Sequence, residues 1–260
     1  MEDAKGLLLK ENTSSKQYQN IIKNIVWILL IGMMLFSIFF DVLAIPSGPV
    51  ITYVSNTTSV NAVPNRSQDA KGTITTVTMV ANQQDYKWKA YVGNISGALA
   101  LDDASGKSIY DWTPATITGE LYATRQSSVS WNSVACVNQS VIDNEQASLG
   151  IGSNMADNIN STFNNTAHKS FLVGTINISQ NTCRSTATYI NDAPQSVGPS
   201  AFFQEILLKD NSTSSMIYTT LLETAHTGFN GASTFNFQLI VAENESSNTP
   251  TPYFFYVELG

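Results

Sequence analysis

Phe203-Gln-Glu-Ile-Leu-Leu208, Lys209-Asp-Asn-Ser-Thr-Ser214 and Met216-Ile-Tyr-Thr-Thr-Leu-Leu222 decide the fold class. Two short apolar runs, rich in β-branched and aromatic residues, flank a polar turn. Neither run is long enough for a typical helix, so the spacing predicts a β-hairpin. Working outward, Thr234–Val241 and Tyr253–Leu259 extend it into a meander. Upstream, Thr73–Val80, Trp88–Val92, Gly97–Leu101, Ser108–Trp112, Ile117–Thr124 and Val129–Trp131 read as strands, as do Phe171–Val173, Thr175–Ile178 and Thr186–Ile190. Asp102–Gly106 reads as a hairpin turn. Between these sets, Asp143-Asn-Glu-Gln146 fits a capping box, Gly150 ends that short helix, and Asn154–Phe163 is a second helical candidate. Short strands punctuated at roughly 8–12-residue spacing predict a mainly β fold. The expectation is an antiparallel β-sandwich, Ig-like or jelly-roll-like, over residues 72–260, as one body or two subdomains, with one or two short helices.

The N-terminal region is of another kind. Ile25–Phe40 carries no charge and continues across Asp41 to Ile45. About 20 apolar residues suffice to span a bilayer as a helix. Lys5, Lys10, Lys16 and Lys23 precede the run, and no Lys or Arg follows until Arg66. The positive-inside rule therefore predicts a cytoplasmic tail at 1–24, a signal-anchor helix at 25–45, a stalk at 46–71 holding one short strand at Val50–Val54, and an extracellular remainder. The alternative is a cleaved signal peptide, with cleavage after Ala44 and secretion. Gly6-Leu-Leu-Leu-Lys-Glu11 imitates a prepilin site, but the polar stretch from Lys10 to Asn20 separates it from the apolar run.

The chain has 260 residues and a formal net charge of −7. Its exterior Lys and Arg are scattered, which argues against a phosphate-binding face and against nucleic acid as a partner. The membrane, surface proteins, glycans or like subunits are the partners to expect. Sequons occur at Asn56, Asn65, Asn94, Asn138, Asn160, Asn164, Asn177, Asn211 and Asn244, as candidate glycosylation sites. The only cysteines, Cys136 and Cys183, most simply form one disulfide in an oxidising compartment.

No residue set carries a catalytic signature. His168 and His226 are the only histidines, and a Cys/His nucleophilic pair would compete with the disulfide. Ser lacks a nucleophile elbow. Glu120 with Glu205 is an arbitrary pair of carboxylates for glycoside cleavage. Asp102, Asp103 and Ser105 offer too few oxygens for Ca²⁺. The sequence thus calls for no metal and no cofactor. The aromatics Tyr86, Trp88, Tyr91 and Trp112, with Tyr110 and Trp131 nearby, have two readings: a platform facing a sugar, or alternate aromatics packed into a core.

Trp88-Lys-Ala-Tyr-Val-Gly-Asn-Ile-Ser-Gly-Ala-Leu-Ala-Leu-Asp-Asp-Ala-Ser-Gly106, continuing to Ile109-Tyr-Asp-Trp112, resembles the block W-x-x-Y-x-G-N-(V/I)-S-G…Y-x-W. That block belongs to a family of archaeal membrane-anchored cell-surface proteins with no assigned activity. Ile217–Glu223, Gly228–Gly231, Phe235–Val241 and Tyr253–Leu259 are similar to the same family's C-terminal part. The resemblance implies an exported β-rich protein and supplies no catalytic residues. The expectation is a non-enzymatic surface protein with a structural or interaction role in an envelope, a filament or cell contact. A carbohydrate-binding adhesin and an extracellular hydrolase are the alternatives.

Overall fold

Three strands buried on both faces organise the molecule: β4 (Gly119–Thr124), β9 (Gln204–Asp210) and β10 (Ser215–Leu221). This computed structural model describes residues 46–57, 88–97, 99–105, 107–113, 116–244 and 250–259. The predicted tail and span at 1–45, the predicted strand Thr73–Val80, Tyr86 and Asn65 lie outside the described residues. Among the described residues, no helix is long and apolar enough to cross a membrane.

The chain is mainly β with antiparallel pairing. In order, the remaining strands are β1 (Trp88–Gly93), β2 (Leu99–Asp102), β3 (Ser108–Trp112), β5 (Val134–Cys136), β6 (Phe171–Val173), β7 (Ile176–Ile178), β8 (Ser185–Ala187), β11 (His226–Thr227), β12 (Thr234–Phe235), β13 (Phe237–Ala242) and β14 (Phe254–Leu259). A six-stranded sheet runs β14-β4-β10-β9-β5, with β8 sharing the outer edge of β9. The hairpin expected from the opening stretch is β9–β10, with Ser215 opposite Asp210. Asp210 builds its turn by accepting from the Ser212 backbone at 2.8 Å and the Ser212 hydroxyl at 2.7 Å.

Alternation assigns the two faces. Leu121, Ala123, Leu207, Met216 and Tyr218 point to one side, beneath the paired strands β1–β13, helix α1 (Gln139–Leu149) and the one-turn helix α2 (Ile159–Thr162). Tyr122, Ile206, Leu208, Ile217 and Leu221 point to the other, beneath the β6–β7 hairpin and Cys183. A strand covered on both sides has no solvent face to leave polar, so it reads as a nearly unbroken apolar run. Burying a side chain such as Phe163 or Leu207 fully contributes about 1.5–3 kcal/mol, and both are fully buried.

Several local expectations need correction. Helix α1 is capped by Asn138, whose Oδ1 accepts from the Val141 backbone at 3.1 Å. Asp143 lies mid-helix, because the turn before it is already fixed by Val137 in the core. Gly150 does end the helix, at φ +71°. Val129–Trp131 forms no strand: Trp131–Ser133 is a 3-10 turn and pairing begins at Val134. Thr234–Val241 is interrupted at Asn236, whose backbone donates to Gly93 O at 3.0 Å rather than to a ladder partner. Val50–Val54 is extended but joins no strand among the described residues. Pairing there stops at Ser47, which exchanges two backbone bonds with Val257. Pro49, in register to face Phe255, has no N–H to continue the ladder.

Candidate functional site

Cys136 and Cys183 are bonded, with their Cα atoms 4.9 Å apart. The bridge ties β5 to the loop after β7, and His168 holds that loop from inside. His168 Nδ1 contacts Lys169 O at 2.6 Å, while Nε2 accepts from the backbone N–H groups of Thr182 at 3.1 Å and Cys183 at 2.9 Å. An Nε2 that accepts two bonds carries no proton, so His168 is neutral. Burial lowers its pKa, against the opposing contact to Lys169. Both thiols and both nitrogens of His168 are thus committed. His226 stacks on Phe202 at 3.6 Å between ring centroids.

Buried carboxylates form the second cluster. Glu120 and Glu258 sit directly opposite each other on β4 and β14. Like charges in that position repel. Glu258 accepts from Tyr122 Oη at 3.0 Å and from the Gly174 backbone at 3.0 Å. Burial, reinforced by Glu258, pushes Glu120 up to about 8, so Glu120 is the protonated member at pH 7. Burial also raises Glu258, against those two donors. Glu205 is fully buried on the opposite face of the sheet, where its Oε2 accepts from the Ile240 backbone at 2.9 Å. Burial raises it well above the ordinary carboxylate range. Glu120 and Glu205 are therefore not brought together, and no water-accessible gap separates two facing acids as glycoside cleavage needs.

A shallow cleft of about 240 Å³ lies between α1 and the β9–β10 turn, below the usual range of about 300–1,000 Å³ for ligand pockets. Its cation is already engaged. Arg125 grips Glu145 with Nε and Nη2 at 2.8 and 2.7 Å and donates to Ser148 Oγ at 2.6 Å. This fork clamps α1 to the end of β4. Among the described residues, no group of three His, Cys, Asp or Glu side chains is arranged to hold a metal. In the β2–β3 turn, Asp103 Oδ1 accepts from the backbones of Ser105 and Lys107 at 2.8 and 2.9 Å.

The aromatics divide. Trp88 packs on Phe163 and donates from Nε1 to Asp157 O at 2.8 Å. Tyr91 meets Phe255 edge to face at 4.9 Å between centroids. Both belong to the core, because β1 is covered through its pairing with β13. Trp112 and Tyr110 are more than half exposed and form a T-shaped pair at 4.7 Å. They stand on β3, whose hairpin with β2 joins no other strand. A second exposed group, Tyr189, Phe202 and Phe229, sits on loops that adopt positive φ at Asn191, Asp192, Phe203 and Ala225. Sequence reasoning missed this group; isolated aromatics in loops carry no periodic signal.

Of the sequon asparagines, Asn56, Asn94, Asn138, Asn164, Asn177 and Asn211 are exposed, and Asn160 and Asn244 are half-buried. Compared with protein-family models, with curated proteins and with solved structures, the chain gives no match.

Proposed function

We propose that this chain is an exported, single-pass membrane-anchored surface protein with a structural or interaction role, its β-sandwich-type ectodomain carried outside by the segment at 25–45. The observation that carries the reading is the Cys136–Cys183 disulfide. Such bonds persist in oxidising compartments, and this one is integral to the fold, since it closes the edge of the central sheet at β5. The lysine-flanked apolar run, the exposed sequons and the resemblance to archaeal surface proteins support the same location. The interaction role is supported by the exposed β2–β3 hairpin, while the described acids, His168 and Arg125 are bound into the fold. Surface proteolysis of intact cells tests the reading. Protease should remove residues beyond 72 while leaving cytoplasmic markers whole; full protection of that region would overturn it.

A second reading, a carbohydrate-binding adhesin, is favoured by the exposed Tyr110–Trp112 pair, since ring faces stack on the apolar faces of sugars. A glycan array discriminates. Binding abolished by Trp112→Ala in a chain of unchanged melting temperature supports the adhesin; no binding removes it.

A further inference from the structure

Two exposed features of this chain are complementary. The first is Val50-Ile-Thr-Tyr-Val54, which leaves β14 after Ser47 and runs extended with its apolar side chains in solvent. Val50 is 98% exposed and Val54 88%. β-Branched and aromatic residues favour strands, yet this segment pairs with none. The second is the β2–β3 hairpin, a two-stranded sheet with both outer edges unpaired among the described residues. Register places Leu101 opposite Tyr110. With Trp112 two residues on, these three share one face, and Ile109 lies on the other. All four are exposed, Ile109 at 76%.

A lone two-stranded hairpin is marginal in water, and a third strand with an apolar face is what makes such a sheet stable. We propose that Val50–Val54 of one copy adds as that third strand to the β2–β3 hairpin of a second copy. Strand addition satisfies main-chain groups at the edge and sets alternate side chains on each face. Ile51 and Tyr53 fall on one face of the donor, and Val50 and Val54 on the other, so both faces of the hairpin gain apolar cover. A sugar on Tyr110 and Trp112 accounts for neither Ile109 nor the exposed donor. Donor and acceptor are different surfaces, so the contact is head-to-tail and propagates instead of closing as a dimer. One five-residue strand makes an interface at the weak end of the range, below about 1,200 Å². Crowding of copies on one surface strengthens it through local concentration, and to that extent the proposal rests on the surface role above.

The test is made on the purified full chain in detergent micelles, apart from any question of cellular location. Ile51→Cys with Ile109→Cys in one chain should give, on oxidation, a concentration-dependent ladder of dimers and higher species on a non-reducing gel. Ile51→Cys with Leu172→Cys is the control, because Leu172 is comparably exposed on β6; it should give at least tenfold less. Adding Thr52→Pro, which removes a donor N–H at an exposed position, should reduce the ladder at least tenfold without changing the melting temperature. A fast-migrating internal disulfide, equal ladders for both pairs, or indifference to Thr52→Pro would each overturn the proposal. So would a monomer whose Trp112 fluorescence responds only to added polysaccharide. Surface exposure of the chain could still hold in every such case.

Discussion

Replacing Glu120 by Gln should stabilise this protein, and increasingly so as pH rises. Glu120 lies across from Glu258 on adjacent strands, and burial with that neighbour raises its pKa from 4.5 to about 8. In the unfolded chain it ionises near 4.5. Between those values the folded state holds the proton more tightly, so the stabilising contribution is full below about pH 4.5 and is lost as pH rises towards 8. Each unit of pKa is worth about 1.4 kcal/mol. The linkage cost of wild-type Glu120 then grows by about 2.5 kcal/mol between pH 5 and pH 7, and by about 4 kcal/mol by pH 9. Gln has the same shape and does not titrate. Urea denaturation at pH 5, 7 and 9 should show the variant's advantage widening by those amounts. A carboxyl NMR titration should place Glu120 near 8, and Glu258→Gln should lower that value while burial still holds it above 4.5. A stability difference that stays flat from pH 5 to pH 9, or a Glu120 signal titrating near 4.5, would refute the reasoning.

Three further outcomes follow from the same packing. Reducing Cys136–Cys183, which spans 47 residues, should cost about 4 kcal/mol in the chain-entropy account, read as a lower urea midpoint with reductant. His168→Gln should remove a stability loss that wild type shows as pH falls below about 6.5, where the unfolded imidazole protonates first; its lowered folded pKa puts that loss between 6.5 and the folded value. Trp88→Phe should cost about 1–3 kcal/mol, because the carbonyl of Asp157 loses a donor, whereas Trp112→Ala should change stability by no more than about 0.5 kcal/mol, both measured by thermal melts.

What was legible in the sequence was whatever the central sheet demanded. The runs Phe203–Leu208 and Met216–Leu222 lack alternation because both faces of β9 and β10 are covered, and the turn between them carries the polar residues a hairpin needs. Gly150 was legible because only a residue tolerant of positive φ ends a helix that way. The short edges were not. Val134–Cys136 and Ser185–Ala187 are three residues each and earn their place only through β9, a partner distant in sequence. The aromatics were half legible. Trp88 and Trp112 have the same composition around them, and their fates differ because β1 has β13 as a partner while β3 has only β2.

The abundance of amides shows how one composition serves two ends. Asn and Ser-rich sequence was read as a glycosylated exterior, and six sequons are indeed exposed. Other amides face inward. Gln204 donates to Ala201 O at 2.6 Å and accepts from the Lys169 backbone at 2.8 Å. Gln238 donates to Tyr189 O at 3.0 Å and accepts from the Phe229 backbone at 2.8 Å. Asn236 donates to Glu223 O at 2.7 Å and accepts from the Ile95 backbone at 3.1 Å. A primary amide is the one neutral side chain that offers a donor and an acceptor from a single rigid plane. Buried loop backbone must be paired, and a chain with long loops over its sheet meets that demand with Gln and Asn instead of charges. The loops around Tyr189, Phe202 and Phe229 are held by these bonds, with their aromatics left in solvent. What remains unpaired on this molecule is therefore strand, not loop: Val50–Val54 and the edges of β2–β3, where the backbone has no amide to complete it and another strand would.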